Sequence, residues 1–145
     1  MVDLIGNKIP DIKLVKMDSE KGPQPLSVLD FCKDKKVVMF GVPGAFTPTC
    51  SRNHLPGFID KADEMKARGI DEVICFATND IFTLSAWEEM SGSNGKILFL
   101  SDSKAKFSKS IGTDFPDSFG TSTKTQRCSI LINDGTVEKF FVEDE

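Results

Sequence analysis

Three apolar runs most restrict what this chain can become: KVVMFGV over Lys36 to Val42, VICFAT over Val73 to Thr78 and ILFLS over Ile97 to Ser101. Each is short and nearly unbroken in apolar character, which is how a buried strand reads. A charged cluster precedes the first run and Pro43-Gly44 follows it, so both of its ends are marked. The segments between the runs have helical spacing. Leu55, Phe58, Ile59, Ala62 and Met65 recur at intervals of three and four, and Gly69 closes that helix. Ile81 to Met90, with Asn79 or Asp80 as cap, and Ala105 to Ile111, ended by Gly112, read as further helices. Ser129 to Asn133, then Asp134-Gly135, then Val137 to Val142 reads as a β-hairpin, because Asp-Gly is a strong short-turn signal. Leu26 to Phe31 reads as a short helix, and Ile12 to Met17 alternates like an edge strand. The order β-α-β-α-β-α-β-β argues an α/β sandwich with a mixed sheet and a closing hairpin. That is the order of a thioredoxin-like core.

The chain's 145 residues suit one domain with a single core, spanning 1–145. A net charge of −4 and a pI near 5.1 leave no electrostatic footprint for nucleic acid or an anionic membrane. No run of 18 apolar residues is present to span a bilayer. The N-terminus has no basic region leading into an apolar stretch, so it does not read as a secretory signal. The expected compartment is the cytoplasm, with an organellar form as the alternative, since processing removes its own signal. The four cysteines, Cys32, Cys50, Cys75 and Cys128, form no C-x-x-C or C-x-x-H pair. A metal site is therefore not expected, and free thiols in a reducing compartment are.

One cysteine breaks the pattern. In Val42 to Cys50, VPGAFTPTC, a thiol follows a strand, a turn and two prolines, with Ser51, Arg52, Asn53 and His54 after it. Ligands in open α/β sheets bind outside the carboxyl ends of strands, which is where Cys50 falls. Thr47 is a good N-cap and Pro48 suits the first helical position, so Cys50 is expected at the third. Its sulfur would then lie beside unpaired backbone N–H groups at the positive end of a helix dipole, which favours thiolate. Thr47 could accept from a backbone N–H while its own hydroxyl donates to the sulfur. Pro56 should kink the helix and leave its first turn less firmly held. Ionisation alone gains little: a thiol of ordinary pKa is roughly 3% ionised at pH 7, so full ionisation is worth only about thirty-fold. Fast chemistry needs fixed donors around the leaving atom. Arg127, just ahead of the SILIN strand, is the candidate because a guanidinium offers several donors in fixed geometry.

These residues carry a family resemblance. Pro43-x-x-x-Thr47-x-x-Cys50 matches the active-site signature of peroxiredoxins, and GVPGAFTPTCSRNHLPGF from Gly41 to Phe58 resembles the type II or peroxiredoxin-5 subgroup. Val73 to Asp80, Trp87 and Arg127 extend the likeness over nearly the whole chain. The resemblance implies a thioredoxin-like fold and thiol-dependent reduction of hydrogen peroxide and organic hydroperoxides, in antioxidant defence and cell redox homeostasis. No metal, haem or flavin is required. Cys50 is then the peroxidatic cysteine, whose thiolate attacks the terminal peroxide oxygen and becomes a sulfenic acid. Thr47 orients sulfur and peroxide, and Arg127 lowers the thiolate pKa and steadies developing charge. Pro43 shields the pocket, and the loop around Gly44 and Phe46 meets the substrate. A homodimer is implied, with thioredoxin, glutaredoxin or glutathione as reductant.

Two departures bear on the reduction step. Related animal enzymes carry a resolving cysteine in a segment after the final hairpin, whereas this sequence stops at Val142-Glu143-Asp144-Glu145, without that segment or the family's C-terminal helix. Plant-type relatives have a second cysteine 25 residues after the first, the spacing of Cys75. Either Cys75 resolves the sulfenic acid as an intramolecular disulfide, or an external thiol attacks directly in a one-Cys cycle. Cys75 also suits a buried small hydrophobe, and Cys32 and Cys128 read as packing residues. His54 reads as structural rather than as a base, and Trp87 and the phenylalanines as core or dimer contacts. Two rival functions are a peroxide sensor or disulfide relay with little turnover, and an inactive truncated binding module.

Overall fold

The computed structural model describes residues 3–47, 55–93, 95–117, 120 and 122–143. Its elements in chain order are β1 (Lys13–Asp18), β2 (Gly22–Ser27), α1 (Val28–Phe31), β3 (Lys36–Gly41), α2 (Leu55–Ala67), β4 (Glu72–Ala77) and α3 (Ile81–Ser91). There follow β5 (Leu98–Ser101), α4 (Lys106–Ile111), β6 (Asp114–Pro116), β7 (Thr123–Thr125), β8 (Cys128–Asn133) and β9 (Thr136–Val142). The main sheet has seven strands in the order β2-β1-β5-β4-β3-β8-β9. Its centre, β5-β4-β3, is parallel, and β1, β8 and β9 add antiparallel neighbours. β6 and β7 form a separate two-stranded ribbon.

The three apolar runs are the three parallel strands, and their side chains alternate between two cores. On β4, Ile74 and Phe76 face one cluster with Val37, Met39, Phe107 and Ile130, while Val73, Cys75 and Ala77 face a second with Phe40, Leu55, Leu84 and Trp87. Period-two alternation into covered faces on both sides explains why these strands read as unbroken apolar runs. The second core lies under α2 and α3, which contribute Leu55, Leu84 and Trp87 to it, and Phe58 stacks on Phe40 at 3.8 Å between ring centroids.

Turn chemistry explains several boundaries. Asp134 and Gly135 both take positive φ, 50° and 80°, as a tight two-residue hairpin turn demands. Asp80 caps α3 by accepting the Thr83 amide at 2.9 Å. Ser27 caps α1, which is shorter than the expected Leu26 to Phe31 because Leu26 and Ser27 complete β2. β1 is not the edge. It lies between β2 and β5, and the edge strand is β2, whose Pro23 and Pro25 made it unreadable as a strand. Proline lacks a ladder donor and is tolerated only at such an edge.

Candidate active site

The carboxyl ends of β3, β4 and β5 lie on one side of the sheet, and the chain leaving β3 turns there into the loop Val42 to Thr47. The Val42 amide donates to the Phe76 carbonyl at 3.1 Å, extending the sheet by one bond. Pro43 is half-buried, and Gly44 and Ala45 are buried. The Ala45 amide donates to the Asn79 side-chain oxygen at 2.9 Å, so the loop is tied to the end of β4. Asn79 is held in turn, because its carbonyl accepts the Ser101 hydroxyl at 2.6 Å. Phe46 adopts φ 62°, a left-handed conformation that costs a non-glycine residue about 1–2 kcal/mol. Strain of this kind collects at functional loops. The Phe46 ring points outward, 46% exposed, with its centroid 6.4 Å from that of Trp87.

The Thr47 hydroxyl donates to the Gly44 carbonyl at 2.9 Å. What the oxygen still offers is lone pairs, able to accept an O–H or N–H. Cys50, Pro48 and His54 lie outside the described residues, as does the expected helix start between Thr47 and Leu55. Pro56 is the second residue of α2 as described.

Arg127 reaches the same end of the sheet by register. β8 runs antiparallel to β3 with Cys128 opposite Gly41, so Arg127, the residue before β8, lies at the end of β3 from which the loop departs. Cys128 faces the first core, and alternation turns Arg127 to the α2 side. Its side chain is 19% exposed, and its Nε lies 3.5 Å from the Glu143 carboxylate. Phe58, Arg127, Cys128, Ser129, Phe141, Val142 and Glu143 line a cleft of about 200 Å³. Gly41 permits this close packing: a Cβ there would meet the Phe76 ring at 2.7 Å and the Cys128 sulfur at 3.0 Å.

The other thiols are sealed. Cys32, Cys75 and Cys128 are buried. Burial pushes the Cys32 thiol up to about 11 and the Cys128 thiol up to about 12. Cys75 has no exposed surface; it sits in mid-strand between Phe40 and Phe99 in register, on the face covered by α2. Pro43, Gly44, Phe46, Thr47 and Arg127 lie at one end of the sheet, and sequence reasoning missed Asn79 as the loop's anchor. A polar residue right after a buried strand, VICFATND, was the signal for it. Among the described residues no group of three His, Cys, Asp or Glu could hold a metal ion.

A mixed sheet covered by helices on both faces, with the Val42 to Thr47 loop leaving one of its parallel strands, defines a thioredoxin-like fold. Residues 4–145 match the Redoxin family. The chain is 38% identical over 144 residues to chloroplastic peroxiredoxin-2E of Arabidopsis thaliana, covering 97% of this chain and 62% of that protein. It is 39% identical over 132 residues to peroxiredoxin-2B of the same plant, covering 90% of this chain and 81% of that one. Reduced Prx3 from Vibrio vulnificus, in complex with hydrogen peroxide, superimposes with a TM-score of 0.93 at 39% identity, covering 99% of this chain and 89% of that one. The 1-Cys peroxiredoxin of Plasmodium falciparum gives a TM-score of 0.88 at 25% identity, covering 97% of this chain and 84% of that one. The chain belongs to the peroxiredoxin family.

Proposed function

We propose that this peroxiredoxin is a thiol-dependent peroxidase in which Cys50 is the reacting sulfur. The observation that carries the reading is the convergence of the Pro43 to Thr47 loop and Arg127 at the carboxyl end of β3. The thiolate attacks one peroxide oxygen, the O–O bond breaks, and the departing oxygen leaves as water or alcohol after taking a proton. Arg127 supplies fixed positive charge for the oxygen that gains electrons. Thr47, its proton spent on Gly44, accepts the peroxide O–H and so aims it. Half-buried Pro43 keeps water from the sulfur, and the Gly44 backbone approaches the substrate closely. Hydrogen peroxide is the substrate class that the Prx3 complex supports.

Complete burial of Cys75 between two phenylalanines supports reduction by an external thiol, such as glutathione, glutaredoxin or thioredoxin, over an internal disulfide. Cysteines without the spacing of a disulfide framework suit a reducing compartment such as the cytoplasm. The described chain contains no helix long and apolar enough to cross a membrane. A second copy is the expected partner for the apolar surface near the loop. Phe82, Ala86 and Met90 share one exposed stripe of α3, with Phe82 66% and Met90 77% exposed. Sedimentation should give a dimer that Phe82→Glu weakens, and a monomeric native protein would refute it.

Steady-state peroxide consumption with a thiol reductant tests the function. Turnover should vanish in Cys50→Ser. Turnover that survives the replacement would end the reading.

A further inference from the structure

A second cleft, with a volume of about 410 Å³, opens beside the Val42 to Thr47 loop. Thr78 and Asn79, just past β4, form one wall, and Ser103 and Lys104, just past β5, form another. Thr123 and Lys124 of β7 close it. The volume is within the range of small-molecule sites, about 300–1,000 Å³. The carboxyl ends of strands are where open α/β sheets take their ligands. Two of the lining residues also reach the loop. Asn79 gives its side-chain oxygen to the Ala45 amide at 2.9 Å, and its NH2 group keeps its own donors. Lys124 Nζ lies 3.8 Å from the position a Cβ on Gly44 would take, so the bare Gly44 backbone leaves room for the ammonium group.

The lining runs against the composition of the chain. Acidic residues outnumber basic ones, 22 to 18, yet the described residues of the cleft include two lysines and no carboxylate. Acids close by in sequence are bound to protein donors: Asp102 takes the Phe107 and Ser108 amides, Asp80 takes the Thr83 amide, and Asp117 takes the Ser122 hydroxyl at 2.8 Å. Two ammonium groups balance a ligand charge near −2, and the Thr78, Ser103 and Thr123 hydroxyls and the Asn79 amide add neutral donors around them. A phosphate monoester carries about −1.5 to −2 charge at neutral pH and offers three strong acceptor oxygens. It fits that donor set, whereas a single carboxylate leaves one ammonium unbalanced. Lysine serves phosphate as a point charge and needs no fixed plane to do so.

We propose that the cleft between the ends of β4 and β5 and strand β7 binds a small phosphate monoester, and that its occupancy is felt at the Gly44-Ala45 turn. The anion draws the Lys124 ammonium into the cleft and away from Gly44. It also takes a donor from the Asn79 amide, whose oxygen holds Ala45. Hydrogen bonds in such a chain polarise one another, so a ligand on the nitrogen side strengthens the bond on the oxygen side. The bound phosphate therefore steadies the loop that leaves β3. Binding is non-covalent and needs neither a thiol nor peroxide, which makes the cleft a regulatory site separate from the chemistry.

Amide resonances of the 15N-labelled chain, titrated with glycerol 3-phosphate, test this. The Thr78, Asn79, Ser103, Lys104, Thr123 and Lys124 amides should shift and saturate, and the Ala45 amide should move with them. Lys104→Gln/Lys124→Gln should raise the apparent Kd by about tenfold or more, as expected when two charge-assisted contacts are lost. Lys104→Gln alone, at an exposed position, should raise it in the same direction and keeps the test valid if the double variant misfolds. Succinate, a dicarboxylate of similar charge, should bind more weakly; succinate binding as tightly as glycerol 3-phosphate overturns the phosphate assignment. Equal shifts in sodium chloride at matched ionic strength, no saturable shifts, or an unchanged Kd in the variants overturn the site. Saturating shifts in the cleft with Ala45 unmoved overturn the link to the loop. No peroxide enters the measurement, so its result stands apart from the fate of the peroxidase reading.

Discussion

The Asn79 side chain accepts the Ala45 amide at 2.9 Å and thereby joins the loop leading to Cys50 to the end of a neighbouring strand. Asn79 is 34 residues away in sequence from the group it holds. The loop also carries the strained Phe46 backbone and the Thr47 hydroxyl, whose proton goes to Gly44. A loop that must present one sulfur in one direction needs such an anchor, because small misplacements of reacting groups cost rate steeply.

Asn79→Ala removes the acceptor from a part-buried amide, which costs about 1–3 kcal/mol for a group left unpaired. Stopped-flow oxidation by hydrogen peroxide should slow by about tenfold, the loss expected of a loosened loop. Asn79→Asp keeps an acceptor and adds negative charge near the loop. It should raise the Cys50 pKa and move the pH–rate profile toward alkaline pH. Profiles identical to the native protein in both variants would remove Asn79 from the site.

Arg127 stands beside the start of the loop and is shared with Glu143 at 3.5 Å. Arg127→Ala should raise the Cys50 pKa and slow oxidation by about a hundredfold, the usual loss for one fixed donor at developing negative charge. Glu143→Gln acts in the opposite sense. The Glu143 carboxylate is 64% exposed, so its pull on the guanidinium is screened. Losing it should lower the Cys50 pKa slightly and change the rate by less than about threefold. Thiolate absorbance against pH measures both, and an Arg127→Ala profile that does not move would exclude the proposed role.

The buried thiols give the fold a pH signature of their own. Burial raises Cys32 to about 11 and Cys128 to about 12. A raised thiol pKa contributes stability that is fully present below the unfolded value, and this is lost as pH climbs through the folded value. Urea midpoints should therefore fall as pH rises from about 8 toward about 11, since the unfolded thiols ionise first. Cys128→Ala should flatten part of that slope. An equal slope in the variant would show that Cys128 is not buried as described.

The three parallel strands and the Asp134-Gly135 hairpin were legible because their signals are local: an apolar run and a turn dipeptide. β2 was not, since its two prolines argue against a strand unless the strand is known to be an edge. That in turn hid the inner position of β1. The β6–β7 ribbon was missed for a related reason: strands of three residues are too short to display a period. At the site, Arg127 could be guessed from chemistry, but its place at the end of β3 depends on the pairing of β3 with β8. The Thr47 hydroxyl could be counted as a hydrogen-bond donor, but the Gly44 carbonyl that takes its proton becomes visible only once the turn is folded.

The central claim concerns which of four cysteine sulfurs meets the peroxide. Mass spectrometry of protein treated with one equivalent of hydrogen peroxide, trapped with a sulfenic acid reagent and digested, reads it directly. The account predicts trapped sulfenic acid on the peptide containing Cys50, with Cys32, Cys75 and Cys128 still reduced. Oxidation beginning at one of those buried thiols, or a Cys50 peptide recovered unmodified, would contradict it.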